Sequence, residues 1–317
     1  MIRRRAKAVG YSAIVAQWEV KMKIGFIGLG IMGSRMAANL QQQGYQLVIF
    51  NRSPEKAIPL IEKGAIEAKN PAKVASQVEI LFTMLAHPEA VKETALGKDG
   101  FLAHLAPNSL WVDCSTVHPS FSREMAREAR EKQIRFLDAP VAGSKNQAQE
   151  AQLVFLVGGE ETDFQQCQPL LDKMGKKVVR MGENGMGSAF KLVLNHLLAT
   201  SMAAFSEGLI LGEALGISRE TLLNSLIGSP VTAPYLALKR TKLENDDYEA
   251  EFPLQWMQKD LQMVSLAAYE SNVAMPLGNA AKEIYRLCLQ RGLGEQDFSA
   301  IYGFLKEGSG CDRSASV

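Results

Sequence analysis

From Lys23 onward, apolar residues come in short unbroken runs, separated by stretches whose apolar positions recur three and four apart. KIGFIG is followed by a helical pattern from Ile31, and QLVIF by another from Pro54. Further runs end at Met84 (VEILFTM), Asp113 (SLWVD), Ala139 (IRFLDA), Gly159 (LVFLVGG) and Met181 (KVVRM). Such runs predict strands covered on both faces, and their alternation with helices predicts a mostly parallel, doubly wound sheet with right-handed crossovers. Beyond a glycine cluster, Gly182, Gly185 and Gly187, the strand pattern stops. There FKLVLNHLLATSMAAFSEGLILGEALG predicts one long helix, with further helices through Phe304. The fold class is therefore α/β: a doubly wound, mostly parallel sheet over 23–182, joined by a long helix to an all-α domain over 183–306.

The two ends read differently. Residues 1–22 are basic, with no acid before Glu19, and are expected to be an upstream extension, disordered or not native, with Met22 as the true start. Tyr11, Ser12 and Gln17 break the apolar stretch a targeting peptide needs, and no convincing small-residue cleavage site follows. From Glu307, EGSGCDRSASV (307–317) reads as a disordered tail. The long helix is not expected to span a membrane, because Lys191, Asn195, His196, Glu207 and Glu213 would cost about 2.5 to 3.5 kcal/mol per charge on insertion scales.

Composition narrows the class without naming it. A length of 317 residues suits two domains, and 47% hydrophobic with 22% charged residues is ordinary for a globular chain. Thirty-five Lys and Arg against 34 Asp and Glu leave a net charge of +1, too little to draw the whole chain to nucleic acid or an anionic membrane. Cys114, Cys167, Cys288 and Cys311 are scattered without C-x-x-C spacing, which fits a reducing cytoplasm and neither a disulfide framework nor a zinc site. His87, His104, His118 and His196 form no ligand pattern either, so no metal is expected.

The sharpest motif follows the first strand: Gly28-Leu29-Gly30-Ile31-Met32-Gly33, opening the helix IMGSRMAANLQQQ. G-x-G-x-x-G where a strand turns into a helix within one βαβ unit marks a dinucleotide site and a Rossmann domain. Gly28 permits the turn, Gly30 lets the pyrophosphate approach the backbone, and Gly33 lets helix and strand close up. About 20 residues on, where an NAD enzyme places an acid against the ribose, the second strand ends in Phe50-Asn51-Arg52-Ser53 with no acid. Arg52, Ser53 and Lys56 suit a 2′-phosphate instead, so NADPH is the expected cofactor. Leu29, Ile31, Met32, Asn51, Met84 and Leu85 join the glycines, and Thr116 and Lys259 are added below, in the expected cofactor set.

Ligands of such sheets collect at the carboxyl ends of strands. Two segments stand there, Asp113-Cys114-Ser115-Thr116 and Asp138-Ala139-Pro140-Val141-Ala142-Gly143-Ser144, whose hydroxyls and backbone N–H groups suit a carboxylate as well as they suit turns and caps. On the long helix Lys191 and Asn195 are four apart and share a face, so they can converge on one ligand. A lysine there can protonate a carbonyl oxygen as hydride arrives, with Asn195 orienting the substrate; spacing alone equally allows Lys191 to reach solvent.

GFIGLGIMG, the DCST stretch, DAPVAGS, GMGSAFKLVLN, EFPLQWMQKDL and LGEQDFSA, in this order from about Lys23 to Leu305, resemble the β-hydroxyacid dehydrogenase family. The family includes 3-hydroxyisobutyrate dehydrogenases, tartronate semialdehyde reductases and glyoxylate/succinic semialdehyde reductases. NRS, GSK, AFSEG and FPL before KD are most similar to the last group. The resemblance implies reduction of a small aldehyde acid to the hydroxy acid, with Lys191 as the catalytic lysine. It places Ser115, Thr116 and Asn195 around substrate or nicotinamide, with Gly143 and Ser144 also on the substrate side, and has Phe252, Lys259 and Asp260 close the site. It further implies a homo-oligomer, dimer or tetramer, formed through the helical domain.

Two departures stand out. The family usually reads P-V-S-G where this chain has Pro140-Val141-Ala142-Gly143, so a hydroxyl that helps hold the substrate carboxylate is missing, and Ser144 or backbone N–H groups would have to compensate. His87 stands where an aspartate is common and is expected in a loop near the cofactor. Tyr235-Leu-Ala-Leu-Lys239 matches the Y-x-x-x-K of short-chain dehydrogenases, but it follows Pro234 in the second domain and reads as chance. A protein that keeps NADPH without chemistry is the other class of reading, since chromatin-reader and imine-reductase relatives replace the lysine that is present here.

Overall fold

The structure, a computed structural model, describes residues 22–309, so the expected extension up to residue 21 and the tail beyond 309 lie outside the described residues. The strands β1 Lys23–Ile27, β2 Gln46–Phe50, β3 Ile66–Glu67, β4 Ile80–Thr83, β5 Leu110–Asp113, β6 Arg135–Asp138, β7 Val141–Ala142, β8 Leu153–Gly158 and β9 Gly175–Gly182 form one sheet. Its order is β3-β2-β1-β4-β5-β6-β8-β7, with β9 on β8. All pairings are parallel except β6 with β8 and β7 with β8. β1 lies between β2 and β4, so the winding reverses there, the point at which sheets of this kind take ligands beyond the carboxyl ends of their strands.

The sheet explains why its strands read as unbroken apolar runs. Alternate residues face opposite ways, and each face has its own core. Ile24, Phe26, Leu47, Ile49, Ile80, Phe82, Leu110 and Val112 pack on one side; Ile27, Val48, Leu81, Trp111 and Phe136 pack on the other. β3 and β7 carry two residues each, too short to leave a pattern, and neither is anticipated by the sequence.

The helices of this first unit are α1 Gly33–Gln42, α2 Ile58–Ile61, α3 Pro71–Ala75, α4 Pro88–Leu96, α5 Pro119–Glu131, α6 Lys145–Gln149, α7 Glu161–Leu171 and the start of α8 Met186–Ala214. α1 begins two residues later than the pattern suggests, because Ile31 and Met32 form the turn that carries the loop into the helix. The helix expected from Pro54 is a 3-10 turn, Pro54–Lys56, followed by the single turn α2. α8 spans 29 residues, about 43 Å at 1.5 Å per residue. It starts four residues ahead of the expected run, so Gly187 lies inside it rather than before it.

The chain divides into two compact units, and the division falls within α8, between Lys191 and Leu192. The second unit comprises the rest of α8 with α9 Arg219–Leu226, α10 Arg240–Asn245, α11 Leu254–Glu270, α12 Pro276–Gln290 and α13 Ile301–Ser309. Met202, Phe205, Leu209, Leu223, Leu254, Met257, Leu261, Tyr285, Ile301 and Tyr302 form its core. α13 runs through Glu307 to Ser309, so the expected tail begins inside a helix. Among the described residues no helix is long and apolar enough to cross a membrane.

A buried charge fixes one loop of this unit. The Asp297 carboxylate, fully buried, accepts hydrogen bonds from Lys239 Nζ at 2.9 Å, from the Glu251 and Phe252 backbones at 3.2 and 3.1 Å, and from Ser299 N and Oγ at 3.2 and 2.7 Å. Lys239 also pairs with Glu251 at 3.0 Å, and Tyr235 donates to the Leu198 carbonyl at 2.6 Å. The Y-x-x-x-K pair therefore holds backbone in place. A buried ion set of this kind persists because each charge has partners.

Candidate active site

The glycine loop leaves β1 under tight constraints. Gly28 has φ +97° and a Cβ there would lie 2.2 Å from the Met84 carbonyl oxygen; a Cβ on Gly33 would lie 2.0 Å from the Gly28 carbonyl oxygen. Both positions therefore exclude side chains, for the reasons the motif implies. Gly30 differs, since a Cβ there would meet nothing within 4 Å: its outer side is open. The α1 N-terminus has no side-chain cap and no acid in its first turn. Open backbone and uncapped N–H groups at a helix start fit a pyrophosphate.

Asn51, at the end of β2, locks this loop to the next. Its Oδ1 accepts Leu29 N at 2.8 Å and its Nδ2 donates to the Ser53 carbonyl at 2.9 Å. Beyond it, Arg52 and Lys56 are exposed, and Ser53, although placed at the start of the 3-10 turn, makes no cap hydrogen bond. Two cations and an unengaged cap hydroxyl suit a phosphate better than a bare ribose.

At the ends of β4 and β5 the hydroxyls hold structure together. Trp111 Nε1 donates to Thr83 Oγ1 at 2.8 Å, and Thr83 Oγ1 donates to Asp113 Oδ1 at 2.8 Å. Ser115 N donates to the same oxygen at 3.1 Å, while Ser115 Oγ, buried, accepts Leu85 N at 2.9 Å. Ser115 is thus a clamp between the loops after β4 and β5, and Leu85 enters through its backbone. Met84 does the same, its N–H donating to Ile27 at 3.0 Å. Burial pushes the Asp113 carboxyl up to about 6 against its hydrogen bonds.

Two histidines cap the following helices. His87 Nδ1 accepts Ala90 N at 3.2 Å to open α4, and His118 Nδ1 accepts Phe121 N at 3.2 Å to open α5; each is followed by proline at the first helical position. His87 does what an aspartate would do there, which explains the departure at that position. The same Nδ1 lies 3.0 Å from Glu89 Oε2, a contact open to it only when it carries a hydrogen.

Further along, Asp138 Oδ1 accepts Gly185 N at 2.7 Å and Oδ2 accepts Ser188 N at 2.9 Å, tying the end of β6 to the start of α8. Its pKa is raised by burial, against these bonds. In the loop that follows, Val141 and Ala142 pair with β8 through their backbones. Ser144 N and Oγ both donate to Gln147 Oε1, at 3.0 and 2.8 Å, in a capping box for α6. The Ser144 hydrogen is therefore engaged, and compensation for Ala142 by this hydroxyl meets a competing bond. Gly143 is exposed, with φ +124°.

Lys191 is buried on α8 and Thr116 is half-buried after β5. In the second unit Asn195, fully buried, donates from Nδ2 to Asp260 Oδ2 at 2.5 Å, and Lys259 Nζ lies 2.9 Å from Asp260 Oδ1. An ionised carboxylate only accepts, so Asp260 fixes the amide with Asn195 Oδ1 turned away; that oxygen is buried with no hydrogen-bond partner among the described residues. Half-buried Phe252 stacks edge-on against Phe298, and its backbone is held by Asp297. The sequence pattern missed Asp113 and Asp138 as organisers; their only signal was an aspartate closing two successive strands.

A doubly wound sheet with a strand-to-helix glycine loop at its switch point defines a dinucleotide-dependent oxidoreductase. Residues 23–182 match the family model described as the NAD binding domain of 6-phosphogluconate dehydrogenase, and 185–305 match that of NADP-dependent 3-hydroxyisobutyrate dehydrogenase. The chain is 35% identical to glyoxylate/succinic semialdehyde reductase 2, chloroplastic, of Arabidopsis thaliana, over 90% of this chain and 80% of that protein. It is 34% identical to the mitochondrial 3-hydroxyisobutyrate dehydrogenase of Mus musculus, over 96% and 93%. The solved 3-hydroxyisobutyrate dehydrogenase of Mycobacterium tuberculosis with L-serine superimposes with a TM-score of 0.83 at 29% identity, covering 90% of this chain and all of that one. The chain belongs to the β-hydroxyacid dehydrogenase family: it is an NAD(P)-dependent oxidoreductase acting on CH–OH groups.

Two outcomes test this geometry. Gly33→Ala should destabilise the fold by about 1 to 3 kcal/mol, since the clash is with backbone, whereas Gly30→Ala should keep the melting temperature and weaken dinucleotide binding about tenfold. Thermal melts with dinucleotide titrations separate the two, and equal effects of both variants on stability would refute the assignment.

The second concerns Asp113. Below its ordinary value of 3.8 the carboxyl is protonated in both folded and unfolded chains; between 3.8 and about 6 the unfolded chain has lost a proton that the folded chain keeps. Stability is thus lost as pH rises across that window, by about 3 kcal/mol at most. Asp113→Asn lacks this term, so denaturant unfolding at pH 4 and pH 7 should show the variant gaining on wild type at the higher pH. A pH-independent difference would contradict the buried proton.

Proposed function

We propose that this chain reduces a small aldehyde acid, glyoxylate or succinic semialdehyde, to the hydroxy acid with NADPH, and that Lys191 is the general acid. The observation that carries the reading is a buried lysine near the start of α8, one turn before the buried Asn195, in a chain of this family. NADPH, when bound, supplies the hydride that adds to the aldehyde carbon. Lys191, acting from its ammonium form, gives its proton to the carbonyl oxygen, and its amine is reprotonated from solvent. The reading also assigns Thr116, Gly143 and Phe252 to substrate binding and Asn195 to orienting the substrate.

Arg52 and Lys56 favour NADPH, as does the absence of an acid at the end of β2. 3-Hydroxyisobutyrate is the second substrate reading, favoured by the match of residues 185–305. The buried, unpaired Cys114, Cys167 and Cys288 support a cytoplasmic setting. A homo-oligomer is supported by Val193, Leu197, Ala204, Gly208 and Leu211, which are exposed along α8.

NADPH oxidation followed at 340 nm with each aldehyde should proceed well above the rate with NADH, and Arg52→Ala should cut the NADPH preference about tenfold, about 1.4 kcal/mol. Lys191→Ala should lower turnover about 100- to 10,000-fold. Near-normal turnover in that variant would remove Lys191 from the mechanism. Binding of NADPH with neither aldehyde reduced would move 3-hydroxyisobutyrate or a non-catalytic role ahead.

Light scattering on the purified protein should give a dimer or tetramer, and Leu197→Glu with Leu211→Glu should yield monomer. A monomeric wild type at micromolar concentration would rule the oligomer out.

A further inference from the structure

We infer that Asp138 is a positioning residue for Lys191, acting through the first turn of α8. The inference rests on Lys191 being the general acid. A helix start leaves N–H groups without intrahelical partners, and the usual remedy is a side chain on the capping residue itself. Here the residue before α8 is Gly185, which has none; its φ is +90° and a Cβ would lie 2.9 Å from the Pro119 carbonyl oxygen. The cap comes instead from a distant strand end, where both oxygens of Asp138 are used, on Gly185 N and Ser188 N, 47 and 50 positions along the chain.

Other restraints hold the same turn. A Cβ on Gly187 would lie 2.2 Å from the Leu156 carbonyl oxygen and 2.9 Å from that of Asp138, so the helix backbone sits directly on β6 and β8. Ser188 Oγ lies 2.8 Å from Ser122 Oγ, both buried, which links the turn to α5. Lys191 follows Ser188 by three residues, about 4.5 Å further along a continuous helix. Any rotation or slide of the first turn is therefore passed to the lysine. Asp138 also leads into the Pro140-Val141-Ala142-Gly143 loop, so one carboxylate sets both the acid's helix and the origin of the proposed carboxylate-binding loop.

Asparagine at 138 can accept one N–H but presents its own N–H₂ to the other, so the turn must shift. Misplacement of a catalytic group by about 1 Å costs on the order of 100-fold, and Asp138→Asn should lower kcat about 10- to 100-fold while changing the KM for NADPH and for the aldehyde by less than about threefold. A double-mutant cycle separates positioning from general weakening. In a Lys191→Ala background, Asp138→Asn should change the residual kcat by less than about twofold, because there is no longer a lysine to place.

An additive loss in both backgrounds, or a rise confined to the aldehyde KM, would overturn the inference. Lys191→Ala with near-normal turnover would instead overturn the general-acid reading, and is measured separately. If Asp138→Asn gives no cooperative melt, Ser188→Ala loosens the same turn by removing its tie to Ser122. It should then lower kcat about threefold with Lys191 present and leave the Lys191→Ala rate unchanged. An equal loss in the two backgrounds refutes the inference by this route also.

Discussion

A carboxylate removed from water must be surrounded by donors, and two of them stand side by side at the carboxyl ends of β5 and β6. Asp113 and Asp138 are register partners, both buried, with the carboxyl pKa of each raised first by burial. The donors that meet this demand come from the segments that make the candidate site. Thr83 and Ser115 serve Asp113; Gly185 and Ser188 serve Asp138. Ser115 then reaches across to Leu85. The loops at the carboxyl ends of β4 to β6 are in this sense organised by the solvation of two acids.

Much of the frame was legible because it follows from period and composition. Runs such as QLVIF and LWVD read as strands since both faces of the sheet are covered, and glycine at 28 and 33 was readable because no side chain fits there. β3 and β7 were not readable at two residues each. The α8 start was misplaced because its first turn, Met186 to Ala189, is glycine-bearing and weakly patterned, and its cap lies in a distant strand. Long-range capping leaves no local mark.

Side-chain roles were harder to read than elements, for a specific reason. Sequence shows that a hydroxyl or an ammonium is present but not whether it is already engaged. Ser115 and Ser144 read as substrate donors; Ser115 clamps two loops and Ser144 caps α6. Lys239 read as a chance match, and is a buried cation holding Asp297, which in turn holds the backbone of Phe252. The Tyr235 hydroxyl and the Lys239 ammonium both hold structure, the one on the Leu198 carbonyl and the other on Glu251 and Asp297.

The change from serine to Ala142 has a consequence that these engagements sharpen. The backbone of Val141 and Ala142 pairs with β8, and the Ser144 N–H and hydroxyl both face Gln147. In the proposed reading a substrate carboxylate at this loop relies on Gly143, whose exposed backbone stands in a left-handed conformation. Backbone N–H groups bind a carboxylate without sensing what lies behind it, so a loop of this kind discriminates weakly among small aldehyde acids. Selectivity must come from groups that touch the rest of the substrate, since a pocket discriminates chiefly by polar groups left unpaired or by volume. In the second unit Asp297 and Phe298 hold Phe252 in place, and Asp260 fixes the amide direction of Asn195, whose Oδ1 no described residue satisfies. Two buried carboxylates, Asp297 and Asp260, thus fix the residues of this unit that the proposed reading assigns to the substrate, although neither needs to touch it.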